Sequence, residues 1–344
     1  QDKGCQVRKG EKSSLVVFYK TYEVEAVNEQ TGETEAPERR LVVAGLGSES
    51  HWADLYVPAD RSDAALLLIP GAAEQGKNDP RLVAFARTLA RARFLVLVPD
   101  LPSVRELKVR PENIEEISNA FRYFISERDF PVPDRVGIGA FSYAVGPTLI
   151  AASRGELAEQ VDFIVGVGGY YDLIDVLTFA TTGYYRAEGQ WQRMAPNRYG
   201  KWVFVLSNLQ HLPTAADRRA LRRLAAWHLD RTGSPRPQVQ LSPGAAAVYR
   251  LIINDDPKRV PALVEALPPG IREVIQALDP SKRNLSALSA KLLLVHGRDD
   301  AIIPYTQSLA LADAFPEEQT DLFIVQGLLH VDVSPGLLGR WRLW

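Results

Sequence analysis

From residue 64 onward, wholly apolar runs of strand length alternate with segments of helical periodicity, and few architectures accept that alternation. AALLLIP (64–70) precedes RLVAFARTLARA (81–92), FLVLVP (94–99) precedes ENIEEISNAFRYFISER (112–128), and RVGIGAF (135–141) precedes YAVGPTLIAAS (143–153). DFIVGVGG (162–169) follows, and the rhythm returns late with KLLLVHG (291–297), YTQSLALADAF (305–315) and DLFIVQG (321–327). A strand that is apolar on both faces must be covered on both, which a mostly parallel sheet between helix layers achieves. The expected fold class is therefore α/β.

The flanking stretches differ. Residues 1–13 are polar and are expected to be flexible. SLVVFYKTYEVEAV (14–27), LVVAG (41–45) and DLYVPA (54–59) alternate partly, as antiparallel strands with one wet face do, with the polar linker NEQTGETEAPERR (28–40) between them. Between 171 and 285 the strand–helix rhythm lapses into aromatic and Arg-rich helical segments with Pro-Gly breaks. The expectation is a core of 1–170 and 286–344, with 171–285 inserted between late strands as a helical cap or lid.

Composition narrows the function classes. Forty Lys and Arg against 42 Asp and Glu leave a net charge of −2, which offers no electrostatic footprint for nucleic acid and no polybasic membrane signal. The longest apolar runs are far short of the ~20 residues that span a bilayer, so a soluble protein with no membrane span is expected. The single cysteine, Cys5, rules out an internal disulfide and a cysteine-based metal cluster. The chain opens on Gln1 without an initiator Met, as a processed or trimmed chain would. Cytoplasmic and exported locations both stay open, as does the oligomeric state.

Chemistry enters at RVGIGAFSYAVGPTLIAAS, a strand, a sharp turn and a helix with Ser142 at the turn. The pattern G-x-S-x-G in this setting lifts a serine oxygen to the top of a sheet beside a helix N-terminus. Here the small flanking residues are Ala140 and Ala144, with Gly146 one turn further on. A serine at such a point is equally a helix N-cap and a nucleophile.

Near the other end, LLLVHGRDDAIIPYTQS contains HG-x-x-D-x-x-[VI]-P after a late strand. This motif resembles the acid-bearing loop of α/β hydrolases, and the resemblance places the acid at Asp300 rather than Asp299. His330 follows the next strand in DLFIVQGLLHVD, poised over the serine, whereas His51, His211, His228 and the turn residue His296 sit in other contexts. The order Ser, Asp, His is that of α/β hydrolases. Each residue follows a predicted strand, at the edge where open parallel sheets place their sites.

The resemblance implies an oxyanion hole built from backbone amides, one from Tyr143 and one from the loop IPGAAEQ (69–75). Ala72 is the expected second donor, with Ala73 as the alternative and Gly71 forming the turn. It also implies two-step acyl transfer with no metal or organic cofactor. The expected partner is a small acyl substrate carrying an apolar group. In the inserted segment, Phe179, Tyr184, Tyr185 and Trp191 are read either as core or as lining of an apolar acyl pocket. In ADRRALRRLAAWHLDR, Leu221, Leu224, Ala225 and His228 share one helical face and the arginines form a solvated one. The functional expectation is a carboxylic-ester hydrolase. A serine peptidase or amidase, an acyltransferase, and a non-catalytic binding protein on the same fold are the alternatives.

Overall fold

The computed structural model describes residues 38–44, 50–59, 61–126, 130–197, 200–229 and 235–333. The expected strand at 14–27, the flexible start at 1–13, Cys5 and the tail after 333 lie outside the described residues.

The apolar runs become the sheet. Its strands are β1 (Glu38–Ala44), β2 (Ser50–Tyr56), β3 (Ala64–Ile69), β4 (Phe94–Pro99), β5 (Val136–Phe141) and β6 (Phe163–Val167). A small hairpin, β7 (Tyr184–Ala187) with β8 (Gln190–Arg193), stands apart, and β9 (Lys291–Gly297) and β10 (Thr320–Val325) complete the main sheet. Spatial order is β1-β2-β4-β3-β5-β6-β9-β10. β1 and β2 run antiparallel to each other, β2 runs antiparallel to β4, and the remaining neighbours are parallel. β1 begins at Glu38, so the last three residues of the expected polar linker are in fact strand, recruited by pairing with Tyr56, Leu55 and Asp54.

Alternation along β3 shows why both faces had to be apolar. Ala65, Leu67 and Ile69 join a cluster with Ile114, Ile117, Phe121 and Phe124 of the helix Glu112–Ser126. Leu66 and Leu68 face the other way, onto Leu82, Ala86 and Ala90 of the helix Pro80–Arg91. Burying each such Leu or Ile contributes roughly 1.5–3 kcal/mol.

Between β6 and β9 the chain forms a second apolar cluster of its own. Trp202, Leu221, Leu224, Val248, Leu251, Val260 and Ile271 are buried in it. The helix Ala215–Leu229 buries Leu221, Leu224 and Ala225 and exposes Arg219, Arg222 and Arg223. Besides its helices, the segment between β6 and β9 holds the hairpin β7–β8, which the sequence reading did not anticipate. Its turn residues Glu188 and Gly189 both have positive φ (53° and 74°), the signature of a type I′ hairpin turn. The two ends of the insertion are stapled together: Ser281 N–H donates to the Tyr171 carbonyl (3.1 Å) and Tyr170 Oη–H to the Leu278 carbonyl (2.8 Å). No helix among the described residues is long and apolar enough to cross a membrane.

Candidate functional site

Because β3, β5, β6, β9 and β10 are parallel, their carboxyl ends share one edge of the sheet. Phe141 is level with Val167, Val167 with Val295, and His296 with Ile324. The loops leaving β3, β5, β6, β9 and β10 carry Gly71, Ser142, Gly168, Asp300 and His330, respectively.

Ser142 leaves β5 with φ of 55° and opens a 3-10 turn, Ser142–Ala144, that runs into the helix Val145–Ala152. A left-handed φ costs a non-glycine residue roughly 1–2 kcal/mol, and it turns the serine away from the strand so that its side chain tops the sheet. Ala140 and Ala144 are both buried, as the tight strand-to-helix passage requires. Gly146 has a partner that the sequence did not reveal: an added Cβ would lie 2.2 Å from the Tyr170 ring.

Three groups expected from sequence are brought into one row. His330 Nε2 lies 2.6 Å from Ser142 Oγ, and His330 Nδ1 lies 2.7 Å from Asp300 Oδ2. The carboxylate can only accept, so Nδ1 carries the proton and Nε2 is left to accept from the serine hydroxyl. His330 itself has φ of 56°, so both ends of the Ser–His bond sit on left-handed backbone. Asp300 is 0% exposed, while Asp299 points to solvent.

The buried carboxylate is held from all sides. Its Oδ1 accepts from Ile302 N (2.8 Å) and Ile303 N (3.0 Å), both on its own loop. Its Oδ2 also meets His296 Nε2 at 3.2 Å. His296 Nε2 is 2.9 Å from the Ile303 carbonyl and His296 Nδ1 is 2.7 Å from Ser308 Oγ. Facing two acceptors, Nε2 must carry a proton and share it. Burial alone would raise the Asp300 pKa, but the hydrogen bonds from His296 and His330 outweigh it and hold the carboxyl well below its ordinary range.

Two of these supports were missed in the sequence. His296 was visible as the first letter of HG-x-x-D but was read only as a turn residue. Gly168, second from the end of the apolar run DFIVGVGG, has φ of 61°, and a Cβ there would lie 3.4 Å from His330 Nδ1 and 3.5 Å from Asp300 Oδ2. A Gly-Gly pair closing an apolar strand was the available signal.

On the β3 side, Gly71 abuts the serine: a Cβ there would lie 3.3 Å from the Phe141 carbonyl and 3.5 Å from Ser142 Cβ. Ala72 and Ala73 are half-buried beside it. The 3-10 turn after β5 places Tyr143 N–H in a first helical turn, where amides lack intrahelical acceptors.

The aromatics of the insertion divide. Phe179 is fully buried and meets Tyr185 edge-on (5.8 Å), and Tyr185 meets Tyr305 just past the acid loop (6.2 Å). Tyr184 and Trp191 face each other on the hairpin (6.4 Å), with Arg193 and Arg186 over their rings. Asn197 N–H donates to the Ala301 carbonyl (2.6 Å), tying the segment after the hairpin to the acid loop.

The strand order and the elbow together are those of the α/β-hydrolase fold, and the chain has that fold. It is similar to the rice cell wall degrading esterase LipA from Xanthomonas oryzae, with a TM-score of 0.50 and 14% identity over 90% of this chain and 89% of that one. It is also similar to the α/β hydrolase GrgF from a Penicillium species (TM-score 0.49, 15% identity, 86% and 92% covered). A third similarity is to a dienelactone hydrolase from Anabaena variabilis (TM-score 0.45, 16% identity, 88% and 91% covered). At such identities the likeness speaks for the fold alone. The family model for the N-terminal domain of anti-restriction factor ArdC matches residues 1–45, of which the described part is β1. No curated protein matches the sequence significantly.

Proposed function

We propose that this protein is a serine hydrolase that cleaves carboxylic esters through an acyl-enzyme intermediate. The observation that carries this reading is the unbroken row from Ser142 Oγ through His330 to the buried Asp300 carboxylate, with bonds of 2.6 and 2.7 Å. Ser142 is the nucleophile, His330 the general base and Asp300 the group that orients the imidazole and stabilises its charged form. As Ser142 Oγ attacks the carbonyl carbon, its proton passes to His330 Nε2. The amides of Tyr143 and Ala72 take up the charge developing on the carbonyl oxygen. His330 then hands the proton to the leaving alcohol, and water, deprotonated by the same nitrogen, releases the acid and restores Ser142.

Residues 171–285 act in this reading as a cap over a core of 1–170 and 286–344. Two features support it: the insertion's separate apolar cluster, and the hydrogen bond that ties it to the acid loop. Tyr185, set against Tyr305, and with it Tyr184 and Trp191, would meet the apolar part of an acyl substrate, with Gly71 and Ala73 at its reacting end and Phe179 behind.

The test is covalent labelling with a fluorophosphonate, followed by turnover of short and long p-nitrophenyl esters and of p-nitroanilides. Wild type should label and hydrolyse esters faster than amides, and Ser142→Ala should do neither. Equal labelling of Ser142→Ala would remove Ser142 as nucleophile, and faster amide turnover would replace the ester reading.

A further inference from the structure

The left-handed serine leaves the residue after it to be aimed by something other than its own backbone preference. Tyr143 carries an amide assigned above to the oxyanion, and its side chain is tethered on two sides. Its ring stacks on Tyr170 (6.4 Å between centroids, 18° between planes), whose hydroxyl is committed to the Leu278 carbonyl. Its own hydroxyl donates to Asn113 Oδ1 at 2.9 Å. Burial raises the Tyr143 phenol well above its ordinary value, so the hydroxyl stays protonated and remains a donor.

Asn113 is 0% exposed, on the helix Glu112–Ser126, and its amide has no freedom to turn. Its Oδ1 also accepts from Arg110 N (3.0 Å), a backbone group that can only donate. Its Nδ2 donates to Ser103 Oγ (2.7 Å) and Glu116 Oε2 (2.8 Å), and Ser103 Oγ donates to Glu116 Oε2 (2.9 Å). Both donors and both lone pairs of the amide are used, which makes it a fixed post. The post belongs to a neighbouring helix that packs against β3 and against the elbow's own helix Val145–Ala152, so it holds Tyr143 from outside the strand–turn–helix itself.

We infer that Asn113 and the Tyr143 hydroxyl are positioning residues that aim the Tyr143 amide at the oxyanion. The inference rests on the serine-hydrolase reading. A post that sets direction affects the oxyanion more than the ground-state ester, so its loss lowers kcat and leaves KM in place.

The test compares wild type with Tyr143→Phe, Asn113→Ala and the double variant, using p-nitrophenyl acetate and fluorophosphonate labelling rates. Tyr143→Phe keeps the ring and its stack, so it serves even if Asn113→Ala does not fold. Its kcat should fall about 10-fold with KM within about two-fold, short of the ~10²–10³ that loss of a whole oxyanion donor costs. Labelling should slow in parallel, and the double variant should be no worse than Asn113→Ala, because the two residues act along one line. An unchanged kcat with a lowered Tm, or a raised KM at wild-type kcat, would overturn the inference and leave a purely structural bond. A turnover-independent measurement separates this from failure of the parent reading. Val145 N–H bonds to the Ser142 carbonyl, and hydrogen exchange there should speed up in Tyr143→Phe. Unchanged exchange overturns the positioning role whatever the activity, whereas ester turnover that survives in Ser142→Ala sinks the hydrolase reading alone.

Discussion

Asp300 shows how much work a single side chain can concentrate. Each of its oxygens has two partners: two backbone amides on one, two histidines on the other. Asp300→Asn keeps the shape but offers His330 an amide in place of the carboxylate, and kcat should drop by roughly 10³–10⁴ while the fold survives. The stability consequence has a definite sign. The folded-state carboxyl titrates below its unfolded value of 3.8, so its contribution is complete above about pH 4 and is lost as pH falls further. The stability gap between wild type and Asp300→Asn in urea should therefore be widest near neutrality and close on acidification. His296→Leu removes one donor from the same carboxylate and lets its pKa rise. The stability that the ionised carboxylate contributes should then be lost at a higher pH, read as acid unfolding that sets in earlier than in wild type, and His296→Gln, which can still donate, should restore part of the difference.

At the scale of elements, the crossing point after β6 carries a constraint unrelated to its hydrophobicity. Gly168 holds a left-handed conformation against the Asp–His bond. Gly168→Ala should cost about 1–2 kcal/mol from φ alone, read as a lower urea midpoint. The new methyl would meet His330 Nδ1 only at ordinary van der Waals distance (3.4 Å), so kcat of the folded fraction should stay near wild type. A control on the Glu112–Ser126 helix separates packing from geometry. Phe121→Ala should lose about 3–5 kcal/mol and leave the kcat of the folded fraction near wild type. Phe121 is fully buried in the sheet-covering cluster and is not itself one of the three side chains in the row.

For the molecule as a whole, the joint between the sheet and the insertion is where two apolar clusters meet. Gln307 Oε1 accepts from Tyr171 N (3.1 Å) and Asp172 N (2.8 Å), and Ser281 Oγ bridges Asp279 (2.7 Å) and Asp172 (3.3 Å). Burial raises the Asp279 pKa, its hydrogen bond with Ser281 lowers it, and the neighbouring Asp172 charge raises it further, for a net upward shift from 3.8. A carboxyl raised on folding stabilises the protein most below its unfolded pKa and loses that contribution as pH rises through the folded one. Asp279→Asn, which keeps an acceptor for Ser281, should therefore gain on wild type as pH is raised from about 4 to 7. Thermal unfolding across that range checks it, and parallel curves would show that Asp279 does not titrate as its surroundings require.

The sequence by itself determined the sheet. A wholly apolar run has one way to hide both faces, so AALLLIP, FLVLVP and VGIGAF became parallel strands between helix layers wherever the rest of the chain went. Chain order and local motif also pointed to Ser142, Asp300 and His330, because each sits within a few residues of a strand end and those ends share one edge. What crosses the fold was not legible. Glu38–Arg40 read as linker, since only pairing with β2 makes polar residues a strand. The hairpin at 184–193 was missed because four residues a side carry too little periodicity to outweigh an Arg-rich, aromatic setting. Asn113 lies in a helix whose pattern says only which face is buried. That its amide would meet the Tyr143 hydroxyl, 30 residues on, depended on how the Glu112–Ser126 helix packs against the helix Val145–Ala152, and only the tertiary structure decides that.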